Sequence, residues 1–116
     1  MEYCKRTGVV PEPKPVTKKT KGPNQTEAAF KRWFCARYPD CRLLFESIKL
    51  RIDSSCWYTP DYFCPELSVV LEIKGAHIFE DSVIKFKAAR AIHPYFHFEM
   101  WQLENGVWRE IRKLSD

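Results

Sequence analysis

Residues 57–75, WYTPDYFCPELSVVLEIKG, restrict the folds open to this chain more than any other stretch. Trp57 to Phe63 is an aromatic run that favours extended backbone. Cys64-Pro65-Glu66-Leu67-Ser68 supplies turn chemistry, and Val69 to Lys74 is rich in β-branched residues. The pattern predicts a β-hairpin. Side chains alternate along a strand, so Val69, Leu71 and Ile73 share one face and Val70, Glu72 and Lys74 the other. A surface strand would alternate polar and apolar from end to end, whereas this one turns polar only at its C-terminal end. That apolar character suits a strand in the middle of a sheet. Asp61 lies on the preceding strand, directly after Pro60, and the hairpin can bring it beside Glu72.

Two carboxylates about 4 Å apart repel by roughly 4 kcal/mol at an effective dielectric near 20. Lys74 offsets part of that repulsion, and a divalent cation would reverse it. Hard oxygen ligands on two strands suit Mg²⁺ or Mn²⁺ rather than zinc. The plainer reading of the same residues is a Glu72–Lys74 ion pair on a strand, with Asp61 as a turn residue.

Pro60-Asp61, followed eleven positions on by Glu72-Ile73-Lys74, resembles the PD-(D/E)XK motif of the restriction-endonuclease-like nuclease superfamily. The surrounding YTPDYF and LEIKGAHIFEDSVIKFKAAR are similar to a family of small phage-encoded proteins of that superfamily, and more distantly to Holliday-junction resolvases. The similarity spans about residues 24 to 112. It implies an Mg²⁺-dependent (or Mn²⁺-dependent) endonuclease that hydrolyses DNA. Asp61 and Glu72 would bind the metal, with Glu27 and the Ile73 carbonyl as further ligands, and Lys74 would orient the attacking water. DNA is the implied partner, and the resemblance leaves room for a homodimer. Two other readings stay open: a nucleic-acid-binding module that keeps the fold without cutting, and a phage interaction protein whose acidic cluster is structural.

Around the hairpin the chain reads in order. Asn24 to Tyr38 is expected to be a helix, with Asn24 as N-cap and Glu27 as its capping-box partner. Glu27 shares a face with Phe30 and Phe34, so it is read both as a cap and as an acid reaching the metal site. Leu43 to Ile52 alternates and reads as a first strand, with Glu46 on its apolar face without assigned purpose. After Gly75 comes a loop containing His77, a candidate for DNA contact. Glu80 to Ile92 then reads as a second helix, with Lys87 expected to face the site and Lys85 to meet phosphate; both also fit as surface lysines. Tyr95 to Leu103 and Val107 to Ile111 flank Asn105-Gly106, a strong two-residue hairpin signal. The resulting class is α+β with a three-layer core: helix, three-strand meander, helix, two-strand hairpin, and a mixed central sheet flanked by helices.

The 116 residues suffice for one domain, and 45% apolar content with 15% aromatics suffices for its core. Five cysteines without a CxxC pair point to reduced thiols and a cytoplasmic setting (the host cytoplasm, if the protein is phage-encoded) rather than a disulfide framework. No run is long enough for a membrane span, and no signal-peptide core is expected. The net charge of +4 is uneven. Residues 1–23 carry all of it, while residues 24–116 hold thirteen charges of each sign. The 1–23 segment, rich in Pro and Lys, reads as a flexible basic arm ahead of the 24–116 domain. Its Lys18, Lys19 and Lys21 would lie along phosphates, or else merely solubilise the chain.

Overall fold

The computed structural model describes residues 12–16, 22–75 and 80–112. Strands β1 (Lys14–Pro15), β2 (Leu44–Phe45), β3 (Ile48–Arg51), β4 (Trp57–Tyr58), β5 (Tyr62–Cys64), β6 (Val69–Lys74), β7 (His97–Glu104) and β8 (Val107–Glu110) combine with helices α1 (Gln25–Arg37) and α2 (Glu80–Ile92). The class is α+β. A five-stranded sheet runs β2-β5-β6-β7-β8, and a smaller one runs β1-β3-β4. All pairings are antiparallel except β6 with β7, which are parallel and joined through α2. A parallel pair needs such a crossover, because a tight turn can only reverse the chain.

β6 is central, and all six of its residues are buried. Its Val69, Leu71 and Ile73 pack under α1 with Phe30, Phe34, Tyr62 and Cys64. Its Val70 faces the other way, into a cluster of Leu50, Tyr58, Phe86, Ala89, Phe98 and Met100 under α2. Two helices on opposite faces of one sheet give the three expected layers. Phe30 is the hub of the first cluster, with ring contacts to Trp33, Phe34, Tyr62, Trp101 and Trp108. The last two rings arrive on the β7–β8 hairpin. Its turn has Asn105 at φ 51° and Gly106 at φ 77°, both in the left-handed region that the two-residue Asn-Gly turn requires.

The meander keeps its expected order, β2-β5-β6, but its first two strands do not run straight. The single strand expected over Leu43–Ile52 breaks into β2 and β3, which belong to different sheets. The break falls at Glu46, whose φ of 45° bends the backbone. The facing run, Trp57–Phe63, breaks into β4 and β5 around Thr59-Pro60-Asp61, because Pro60 has no N–H for the ladder. The two breaks face each other, and Glu46 N–H donates to the Asp61 carbonyl at 3.0 Å. Phe45 pairs with Tyr62 and Leu50 with Tyr58, so the first strand holds one extra residue between these pairs, the mark of a β-bulge. The bulge turns one long ribbon into a corner with Asp61 on its bend. Within the expected 1–23 arm, Lys14–Pro15 is not free: it pairs with β3 as an edge strand, and Val16 N–H donates to the Ser47 carbonyl.

Candidate active site

The corner leaves Ile73 N–H without a backbone partner on the β5 side, and the Asp61 side chain takes that place. Asp61 Oδ2 accepts from Ile73 N at 2.7 Å. N–H and C=O of one strand residue point to the same side, so the Ile73 carbonyl also lies on the Asp61 side of β6. The hairpin therefore joins Asp61 to the Glu72-Ile73-Lys74 end of β6.

Glu72 and Lys74 follow Val70 on the α2 face of β6, and they are only 7% and 8% exposed. Lys74 Nζ donates to Glu72 Oε2 at 3.0 Å and to Ser82 Oγ on the first turns of α2. Tyr58 Oη donates to the other Glu72 oxygen. Burial, then the Glu72 charge, pushes the Tyr58 hydroxyl well above its usual value, which keeps it a donor. Gln102 Nε2 caps the strand end by donating to the Gly75 carbonyl at 3.0 Å. Both Glu72 oxygens are thus held by side chains from separate elements.

Glu27 caps α1, as its spacing from Asn24 predicts. Asn24 N donates to its Oε1 at 2.9 Å, and Glu27 N to Asn24 Oδ1 at 2.8 Å, which completes the capping box. Its carboxyl also lies near enough to Asp61 to help raise the Asp61 carboxyl. The Tyr62 hydroxyl donates to the Glu27 carbonyl at 2.8 Å and pins this end of α1 over β5. Asp61 consequently sits among acids. Burial, then the Glu72 charge, then Glu27, drive its carboxyl up to about 8, against the opposing pull of the Ile73 N–H.

The other expected residues fare differently. Lys85 is exposed on α2 and Lys87 is half-buried, and Lys74 meets Glu72. His77, Lys18, Lys19 and Lys21 lie outside the described residues. Glu46, left unassigned by its pattern, belongs to the corner and is half-buried there. Tyr58 and Ser82 were missed from sequence. Trp57–Phe63 reads as one strand by its residues, with no sign that β4 leaves for a second sheet and takes Tyr58 to Glu72. No local signal marks Ser82.

No family model, curated protein or solved structure matches this chain. The site is therefore judged on its own chemistry. Three carboxylates and a backbone carbonyl are oxygen donors of the kind Mg²⁺ and Mn²⁺ prefer. In donor chemistry these residues suit a divalent cation, though not in spacing. They are set more widely than the one group of three that converges within 4.8 Å among the described residues, His97, Glu99 and Glu110. That group lies at the opposite end of the sheet, where His97 pairs with Val69 at the start of β6. Its members are already engaged: His97 with Glu99, Trp101 Nε1 with Glu99, and Arg112 with Glu110.

Proposed function

We propose that this protein is a metal-dependent nuclease of the PD-(D/E)XK type that hydrolyses DNA phosphodiester bonds, acting as an endonuclease on duplex or structured DNA. The observation that carries the reading is that Asp61, Glu72 and Lys74 meet at one end of the central strand, with Glu72 and Lys74 buried and the half-buried Asp61 bound to the Ile73 N–H. Asp61, Glu72, Glu27 and the Ile73 carbonyl would hold Mg²⁺ or Mn²⁺. The cation would supply charge neutralisation on the phosphate and lower the pKa of a water toward ~7.

The chain's own residues do the rest. Tyr58 fixes one oxygen of Glu72, and Lys74 fixes the other. Lys74 has three N–H donors, of which Glu72 and Ser82 take two. The third is available to orient a water or to steady a phosphoryl oxygen. Apolar packing under both helices keeps these groups in a low-dielectric setting where such contacts count for more. A host-cytoplasmic location belongs to the same proposal and fits the four described cysteines, which are free thiols. Among the described residues no helix is long and apolar enough to cross a membrane.

One observation favours a second reading, a nucleic-acid-binding module that keeps the fold without cutting. Both Glu72 oxygens already have partners, and Glu27, Asp61 and Glu72 do not close to ligand spacing. Single-turnover cleavage at saturating Mg²⁺, with DNA binding followed in parallel, separates the two. Glu72→Ala should abolish cleavage. Lys74→Met should still bind DNA yet cut on the order of a hundred- to a thousandfold more slowly. A near-parental rate in Lys74→Met would reduce Lys74 to a structural counter-ion, and no cleavage by the parent would leave the binding module.

A further inference from the structure

The sheet β1-β3-β4 has an inner and an outer face. Ile48, Leu50 and Tyr58 point inward to the cluster under α2. Alternation puts Lys49, Arg51 and Trp57 on the outer face, while strand register sets Lys14 opposite Lys49 and Arg51 opposite Trp57. Three cations from two strands therefore gather on one indole. Lys14 Nζ lies 5.3 Å, Lys49 Nζ 5.0 Å and Arg51 Cζ 4.8 Å from the Trp57 ring centre.

Three like charges around one ring repel each other, and an exposed cation–π contact contributes only about 0.5–1 kcal/mol. None of the three forms an ion pair with a described carboxylate. Asp53, on the β3–β4 turn, feels the Arg51 charge but is held by the Ser55 N–H at 2.8 Å. Charge on a small sheet often serves to block edge-to-edge pairing. That purpose suits Lys14 on the edge strand, but Lys49 and Arg51 lie on the central strand. Residues 24–116 carry equal numbers of positive and negative side chains, so this concentration is local and not part of a uniformly basic surface.

We infer that this face is a docking platform for the phosphodiester backbone of DNA, with Lys14, Lys49 and Arg51 on phosphates and the Trp57 ring holding their side chains in place. The inference deepens the nuclease reading and rests on it for the identity of the partner. β4 connects the two sites directly: Trp57 presents the platform on one side, and Tyr58 holds Glu72 on the other. With the three charged heads on phosphates rather than base edges, the platform binds without regard to sequence.

The test is binding of a labelled duplex by the full chain, in EDTA, with fluorescence anisotropy read across a salt series. Each phosphate contact contributes about 0.9 to the slope of log affinity against log salt. The Lys49→Gln/Arg51→Gln double variant should flatten that slope by about 1.8, equally for unrelated duplex sequences. Lys14→Gln, at the sheet edge and least able to disturb folding, should flatten it by about 0.9. Trp57→Leu should weaken binding with a smaller change of slope, since the charges remain. Unchanged slopes in the lysine and arginine variants, with melting temperatures intact, overturn the platform. Cleavage with unchanged slopes therefore sinks the platform alone, and flattened slopes without cleavage by the parent sink the nuclease reading alone.

Discussion

Asp61 shows how one residue can serve the backbone and the site at once. Its carboxylate completes the hydrogen bonding of β6 where β5 ends, yet the same half-buried position lies near Glu72 and Glu27. Its folded-state value of about 8 lies far above the ordinary 3.8, so the folded chain holds this proton more tightly than the unfolded chain. The associated stability is fully present below the unfolded value and is lost as pH rises through the folded one. Asp61→Asn keeps an acceptor for Ile73 N–H and removes the titration. In EDTA its melting temperature should therefore gain on the parent's as pH rises from about 4 to about 8, then hold a constant lead. Calorimetry across that range checks this, and a lead that does not change with pH would mean Asp61 is not crowded by acids. Bound Mg²⁺ should reverse the ranking by stabilising the parent alone.

Among the elements, α2 is fixed at both ends by polar contacts that its apolar pattern does not reveal. Ser82 meets Lys74 at the start, and His93, just past the last turn, is fully buried with Nε2 2.9 Å from the Arg51 carbonyl. That bond makes Nε2 the protonated nitrogen and leaves Nδ1 without a partner. Burial holds the imidazole below its usual 6.5. The unfolded chain therefore takes up the proton first, and stability falls as pH drops below 6.5. His93→Gln should cost about 1–3 kcal/mol at neutral pH by disturbing a buried hydrogen bond, and should flatten this acid-side loss. Urea unfolding on either side of 6.5 measures both effects. Because His93 grips Arg51, the same variant should loosen the outer face of β3.

Across the whole molecule, β6 is the strand on which both clusters and both helices converge, while β1 touches only the small sheet. Removing residues 1–16 takes away two exposed ladder residues and the Val16 bond to Ser47. The loss in stability should be on the order of 1 kcal/mol, the net value of a hydrogen bond or two. Chemical denaturation of the truncated chain checks it, and a loss several times larger would mean that the N-terminal segment is built into the core. DNA affinity should fall more than stability does, because Lys14 goes with the strand.

Local chemistry made much of this legible from sequence. The apolar run of Val69 to Ile73 required a buried strand, the Asn24–Glu27 box started α1, and Asn105-Gly106 closed a hairpin, each through contacts within a few residues. Alternation also put Glu72 and Lys74 on one face, and the hairpin put Asp61 near them. The corner was not legible, because glutamate is not a residue that ordinarily marks a left-handed backbone, and the bend at Glu46 follows from its pairing with Asp61 across the ribbon. Tyr58 on Glu72, Ser82 on Lys74, and the gathering of Lys14, Lys49 and Arg51 on Trp57 follow from that corner. Periodicity decides which face of its own strand a side chain takes. Only the packing of distant segments decides which other face it meets.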